Sequence, residues 1–186
     1  MYEKINIESS YLDNDLGRDI YDIVVRTKPT RVIEFGTLNG YSAAAIAMAL
    51  KDNGHGHLYA NDLWESYPYK KSTLQNCSHN LEKLGLKKYV TLGNTDFWEW
   101  LENPSDFDLL HIDISNTGNI IQSAYESLKS MIESGSIVIF EGGSRDRDKV
   151  EWMKKYNKEP IYPLKNKIGY KILNSDYPSI SIIEKS

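Results

Sequence analysis

At 186 residues and 21.3 kDa, with 40% hydrophobic and 26% charged residues, the chain has enough apolar material for one folded domain and too much for a disordered segment. Twenty-two Lys and Arg against 26 Asp and Glu give a formal charge of -4 and a pI near 5.6, which argues against nucleic acid or an anionic membrane as partner. A lone cysteine, Cys77, excludes an internal disulfide framework, and the longest apolar run, the eight residues from Ala43 to Leu50, is far short of the roughly 20 that span a bilayer.

The opening stretch MYEKINIESSYLDND has no signal-peptide character, so a cytoplasmic, single-domain protein (1–186) is expected. Leu12, Leu16, Ile20, Ile23 and Val24 recur at helical spacing, which predicts an accessory N-terminal helix over 12–27 that ends before Pro29. Arg31–Phe35 reads as a buried strand stopped by Gly36, and the alanine-rich run Tyr41–Lys51 as a helix closed at Asn53-Gly54. Strand and helix then alternate. Strands are expected at His57–Asn61, Lys88–Leu92, Phe107–Ile112 and Ser136–Phe140, and helices at Lys71–Leu84, Phe97–Leu101, Ile120–Glu133 and Arg147–Tyr156. The tail departs from this rhythm. Gly169–Leu173 and Ile180–Glu184 are separated only by the turn-rich stretch 174–178, too short for a crossover helix, so they should form an antiparallel hairpin. The whole predicts an α/β fold with a doubly wound, mostly parallel seven-stranded sheet ending in that hairpin. In such sheets ligands bind at the carboxyl ends of the strands.

The first strand-loop-helix unit, Val32-Ile33-Glu34-Phe35-Gly36-Thr37-Leu38-Asn39-Gly40-Tyr41-Ser42, carries the most information. Its glycines permit a tight backbone and close approach of a ligand, although a purely steric turn has the same look. The spacing is neither G-x-G-x-x-G nor a phosphate loop, and the charge of Glu34 opposes a phosphate. Asp62 closes the next strand, where a carboxylate can accept hydrogen bonds from both ribose hydroxyls. A nucleoside with a positive group and no phosphates suits these two acids better than NAD does.

The run VIEFGTLNGYS resembles the first motif of class I S-adenosylmethionine-dependent methyltransferases, in the form found in the small O-methyltransferase branch that includes the caffeoyl-CoA and catechol enzymes. The strand FDLLHID, ending in Asp113, is similar to that of related bacterial methyltransferases of sugar or secondary metabolism. The resemblance spans about 30–140. It implies S-adenosylmethionine as cofactor, a small-molecule acceptor methylated on oxygen, and a Rossmann-like fold. It also implies that Gly36, Thr37 and Gly40 line the methionine end of the cofactor and that Glu34 engages its ammonium directly or through the loop. Tyr41 and Ser42 begin the helix and either meet the cofactor carboxylate or pack. By the same resemblance Asp62 is the ribose candidate, with a helix-capping or solvated role as the alternative. Leu63 and Trp64 follow it and either flank the adenine or, for Trp64, pack as a core or interface aromatic. Asn94 and Thr95 lie where the adenine amino group is held, with helix capping the competing role for Thr95 or Asp96.

Asp113 is the candidate general base, metal ligand or cofactor contact, and Glu141, ending the fifth strand, its assistant. In the metal-dependent members an acid and a following asparagine join the fourth-strand aspartate around a cation. Here Gly142 follows Glu141, so an Mg²⁺ site would rest on Asp113 and Glu141 with a water-rich shell. His111 reads as a core residue, and Arg145 or Arg147 either grips an anionic acceptor or sits at a solvated helix start. The small chain leaves the pocket to be built by the N-terminal helix, the 64–70 loop and a second subunit, which predicts a homodimer. A non-catalytic S-adenosylmethionine-binding module is the alternative function.

Overall fold

A computed structural model describes residues 1–68, 72–174, 176 and 179–185. Its strands are β1 (Arg31–Phe35), β2 (His57–Asn61), β3 (Val90–Gly93), β4 (Leu109–Ile112), β5 (Ile137–Glu141), β6 (Lys171–Ile172) and β7 (Ile180–Ile183). Its α-helices are α1 (Gly17–Thr27), α2 (Tyr41–Asn53), α3 (Leu74–Lys83), α4 (Phe97–Glu102), α5 (Gly118–Glu133), α6 (Glu151–Lys155) and α7 (Lys165–Ile168). The strands form one seven-stranded sheet of order β3-β2-β1-β4-β5-β7-β6, and the chain divides into two compact units, residues 1–100 and 101–186.

In the first unit β1 pairs in parallel with β2 (Val32 opposite Leu58) and β2 with β3 (Leu58 opposite Val90). Four of the five β1 residues are buried, as a strand covered on both faces requires. The alanines of α2 are fully buried; small side chains let this helix sit close to its neighbours, and α1 packs on it. Asn53 ties the two helices, its Nδ2 donating to the Val24 carbonyl at 3.0 Å. Helix α1 starts at Gly17 rather than Leu12. Asp15 has a left-handed backbone (φ 51°) that no helix can continue through, and its carboxylate accepts the Tyr2 hydroxyl.

In the second unit β4 and β5 run parallel, Ile112 opposite Phe140, and β7 is antiparallel to both β5 and β6. This is the hairpin expected from the tail, although its turn lies partly outside the described residues. The core is aliphatic, with Phe140 meeting Tyr170 edge to face at 5.3 Å. The helix expected over 147–156 breaks at Val150, whose extended backbone (ψ 153°) separates a short 3-10 turn, Arg147–Lys149, from α6. The expected helix start at Lys71 lies outside the described residues; α3 begins at Leu74, where Thr73 accepts the Asn76 N–H at 3.0 Å. Among the described residues no helix is long and apolar enough to cross a membrane.

Candidate active site

The loop from Gly36 to Gly40 leaves the carboxyl end of β1, and most polar groups of its backbone are claimed. Gly36 N–H and the Thr37 hydroxyl both donate to the Asn61 carbonyl, at 2.9 and 3.2 Å. Leu38 is held at both sides of its residue: its N–H donates to Asp62 Oδ2 at 2.7 Å, and its carbonyl accepts the Trp64 indole N–H at 2.9 Å. The Asn39 carbonyl accepts Asn80 Nδ2 at 3.0 Å, while Asn39 Nδ2 reaches the Glu8 carbonyl at 3.3 Å. Gly40 N–H closes the turn on the Thr37 carbonyl at 2.8 Å. These clamps hold Leu38 in the left-handed region (φ 48°), a conformation that costs a non-glycine residue about 1–2 kcal/mol.

Gly40 shows why a glycine stands at the start of α2. Its φ is 91°, and a Cβ there would lie 3.0 Å from Cys77 Sγ. The Cys77 thiol is itself sealed in the interior, which pushes its pKa up to about 12, with the negative charge of Glu34 adding to the effect. Glu34 has no solvent exposure at all. A ligand on this loop therefore meets backbone, and the Glu34 carboxylate acts from behind it.

Asp62 is half-buried, with Oδ2 on Leu38 N–H and Oδ1 accepting Trp64 N–H at 3.0 Å. Each carboxylate oxygen carries two lone pairs, so one acceptor site per oxygen remains for a ribose hydroxyl. Leu63 beside it is half-buried, but Trp64 is only 2% exposed and serves the loop with its indole N–H. Asn94 and Thr95 are exposed; Asn94 Nδ2 donates to Ser66 Oγ at 3.1 Å. Capping of α4 falls to Asp96, whose Oδ1 accepts Trp98 N–H at 2.7 Å and Glu99 N–H at 3.3 Å. Tyr41 and Ser42 are buried, and the Tyr41 hydroxyl is turned to the N-terminal segment, accepting Gly17 N–H at 3.3 Å and donating to the Tyr11 carbonyl at 3.4 Å.

Asn61 escaped the sequence reading. Its Nδ2 donates to the carbonyls of Glu34 (3.3 Å) and Tyr59 (3.2 Å), and a Cβ on Gly93 would stand 2.5 Å from its Oδ1. This one amide ties the end of β2 to β1 and packs against Gly93 at the end of β3. Its only signal in the sequence was a polar residue at the end of a buried strand.

The second unit contributes the ends of β4 and β5. Half-buried Asp113 follows β4 and half-buried Glu141 ends β5, one residue beyond the pair Ile112–Phe140, while His111 is completely buried, as a core residue. Asn116 is another residue the sequence did not announce: 4% exposed, it donates from Nδ2 to the Ile112 carbonyl at 2.8 Å and the Glu141 carbonyl at 3.0 Å. The Glu141 side chain is ion-paired with Arg147, so this arginine is committed to a carboxylate and not left at a solvated helix start. Arg145 instead lies over the Tyr162 ring, 4.8 Å from its centre.

The glycines after Glu141 are required by packing. Gly142 and Gly143 have φ of 106° and 94°, and a Cβ on Gly143 would fall 2.5 Å from Ser181 Oγ. Their carbonyls accept the hydroxyls of Ser181 and Tyr170, each at 2.7 Å. An asparagine side chain has no space here. With Glu141 paired to a guanidinium, and no cluster of three or more His, Cys, Asp or Glu among the described residues, the donor set does not suit a divalent cation. No Mg²⁺ site on Asp113 and Glu141 is shown among the described residues; arginine stands beside Glu141.

A family model described as a methyltransferase domain matches residues 33–141, more than half of the chain and all of the segment from the first loop to Glu141. The chain belongs to this methyltransferase family. No curated protein matches it. Among solved structures, the methyltransferase domain is similar to cofactor-bound Rv0187 from MTB, at 14% identity over 98% of this chain and 85% of that one, with a TM-score of 0.66. The O-methyltransferase TomG from Streptomyces achromogenes, involved in tomaymycin synthesis and solved with SAM, aligns at 13% identity over 91% and 79%, TM-score 0.62. An O-methyltransferase from Bacillus cereus in complex with SAH aligns at 16% identity over 98% and 84%, also at 0.62. At these identities the likeness is one of fold, and it agrees with the seven-stranded methyltransferase architecture.

Proposed function

We propose that this methyltransferase is one domain, residues 1–186, that moves a methyl group from S-adenosylmethionine to a hydroxyl oxygen of a small molecule. The observation that carries the reading is the loop 36–40, inside the family-matched segment, clamped through both sides of Leu38 by residues at the end of β2. The half-buried Asp62 carboxylate with spare acceptor capacity fits a ribose, and the exposed amide of Asn94 fits the edge of an adenine. The bound TomG and Bacillus cereus structures, both named O-methyltransferases, support the choice of cofactor and of oxygen as acceptor.

S-Adenosylmethionine supplies the methyl as a sulfonium substituent and leaves as S-adenosylhomocysteine. The protein must then position the acceptor in line and take its proton. Asp113 is the base in this reading: it is half-buried at the end of β4, and the new C–O bond forms as the hydroxyl proton passes to its carboxylate. Glu141 is ion-paired with Arg147, so in this reading it acts by holding Arg147 in place. No step runs through a metal. A homodimer and a cytoplasmic location belong to the same reading, in keeping with the composition. The test is transfer of isotopically labelled methyl to a panel of hydroxylated small molecules. Product bearing a new O-methyl ether, made without added metal and in the presence of EDTA, supports the reading; exclusive N-methylation, or strict dependence on a divalent cation, contradicts it.

A further inference from the structure

The segment before α1 carries Tyr2, Ile5, Ile7, Tyr11 and Leu16, whose spacing follows neither the period of a strand nor that of a helix. No helix or strand forms there, yet each of the five is at most 7% exposed. Burial without regular structure comes from packing on elements already formed, and here the partner is α2. Glu3 N–H donates to Met48 Sδ at 3.2 Å, the Glu8 carbonyl accepts Asn39 Nδ2 at 3.3 Å, and Tyr11 meets Tyr41 edge to face at 6.1 Å. Residues 2–11 therefore run along α2 from Met48 back to Tyr41 and reach the loop 36–40.

Their two ties to this loop fall on either side of Gly40, where the loop turns into α2. Ahead of it, the Asn39 side chain is held by Glu8. After it, the Tyr41 hydroxyl accepts Gly17 N–H at 3.3 Å and donates to the Tyr11 carbonyl at 3.4 Å. Gly17 makes room for this: a Cβ there would lie 3.0 Å from the Tyr2 hydroxyl and 3.1 Å from that of Tyr41. The Tyr2 hydroxyl in turn donates to Asp15. Asp62 and Trp64 hold Leu38 from the end of β2, and Asn80 of α3 holds the Asn39 carbonyl. Residues 2–16 supply a third, separate support.

Resting on the cofactor reading above, we propose that residues 2–16 brace the cofactor loop and that Asn39 and Tyr41 are positioning residues, which set the Gly40 junction through this brace and make no side-chain contact with the cofactor. Asn39 is only half-buried, so its bond to Glu8 is not needed to close the core. Its effect is on direction. A backbone with a glycine at φ 91° pivots there unless both neighbours are held. Linkage makes the arrangement reciprocal: if the braced loop binds the cofactor better than a loosened one, bound cofactor must quieten residues 2–16 without touching them.

Backbone hydrogen exchange of the full chain, read by mass spectrometry with and without S-adenosylhomocysteine, tests this beside calorimetric titration. The reporting amides are those of Glu3, Leu12 and Leu16 in the brace and of Leu38 and Gly40 in the loop, all of them hydrogen-bonded. In the parent, bound S-adenosylhomocysteine should slow exchange over 2–16 by about fivefold or more. Tyr41→Phe keeps the ring and removes the hydroxyl. It should speed exchange over both 2–16 and 36–40 by about threefold or more and weaken S-adenosylhomocysteine about fivefold, with β4 and β5 unchanged. Asn39→Ala, which cuts only the tie to Glu8, should move the same two segments in the same direction, and it decides if Tyr41→Phe does not fold. Acceleration spread evenly over the sheet is the mark of a merely structural role and overturns the proposal. So does faster exchange in 2–16 that leaves 36–40 unmoved, or bound ligand that leaves 2–16 unmoved; in either case the cofactor reading stands. If S-adenosylhomocysteine does not bind the parent, that reading falls, and the ligand-free exchange of the variants decides the brace, joint acceleration of the two segments supporting it and independent behaviour overturning it.

Discussion

The loop after β1 and the cleft after β5 are built on opposite plans. Around Leu38 most backbone donors and acceptors have a partner within the protein, and the loop has a preset backbone shape backed by a carboxylate. Around Glu141 the polar groups are side chains tied within the protein: Glu141 pairs with Arg147, and the Asn116 amide donates to the Ile112 and Glu141 carbonyls. A ligand common to a whole family can be bound by backbone geometry, which tolerates sequence drift, whereas a ligand particular to one protein needs side chains that can be exchanged. In the proposed reading the first unit serves the cofactor, and Asp113 in the second serves the acceptor.

The largest effect that separates them is at Asp113. Replacing the base by its amide, Asp113→Asn, should lower kcat by about 10²–10⁴-fold, the usual contribution of a positioned general base, while leaving S-adenosylhomocysteine affinity within about twofold. Calorimetry beside initial rates checks it; a parallel loss of affinity would put Asp113 on the cofactor side of the comparison.

Next in size is the glycine pair. Gly143→Ala meets both a positive φ and a contact at 2.5 Å from Ser181 Oγ, so it should cost about 2–4 kcal/mol of stability, read as a fall in the midpoint of urea unfolding. A variant as stable as the parent would mean that the β5 end is looser than its hydrogen bonds to Tyr170 and Ser181 imply.

A smaller, more selective effect is expected at Trp64. Trp64→Phe keeps the ring and removes the indole N–H from the Leu38 carbonyl, a loss of about 1–2 kcal/mol at one hydrogen bond. If the clamp presets the loop, KM for S-adenosylmethionine should rise about 5–30-fold with kcat changed far less. A change confined to kcat would remove the loop from cofactor binding.

Smallest is the pH response of the buried thiol beneath Gly40. Burial raises the folded pKa of Cys77 from 9.0 to about 12, so the native state holds its proton where the unfolded state has released it. The sign follows: this contribution to stability is intact below about pH 9 and is lost as pH climbs toward 12. Native protein at pH 8 should resist iodoacetamide, and alkylation should appear only with unfolding; rapid reaction in the folded state would contradict the sealed packing of α3 under the loop.

Much of this fold was legible in the sequence because its determinants are periodic. Alternation of β-branched strands with helical spacing carried the parallel units, and two strands with no room for a helix carried the hairpin. The first loop was legible because glycine marks backbone shape: Gly36 and Gly40 both have positive φ. Other features depend on contacts between residues far apart in the chain. The break at Asp15, the amide of Asn61 tying β2 to β1, and the indole of Trp64 turned onto Leu38 follow from no local pattern. Glu141 was read from its strand position, but its partner Arg147 was not, since an ion pair is set by where the chain goes after two glycines. That single pairing gives Glu141 a guanidinium partner that its strand position did not announce.

The central claim is that the clamped loop with Asp62 holds S-adenosylmethionine, and the most direct measurement is calorimetric titration of S-adenosylhomocysteine into the parent and Asp62→Ala proteins without added metal. The account predicts micromolar binding to the parent and at least a tenfold loss in the variant, because Asp62 anchors Leu38 and, in the proposed reading, accepts the ribose hydroxyls. Absence of binding to the parent, or equal affinity in the two proteins, would contradict it.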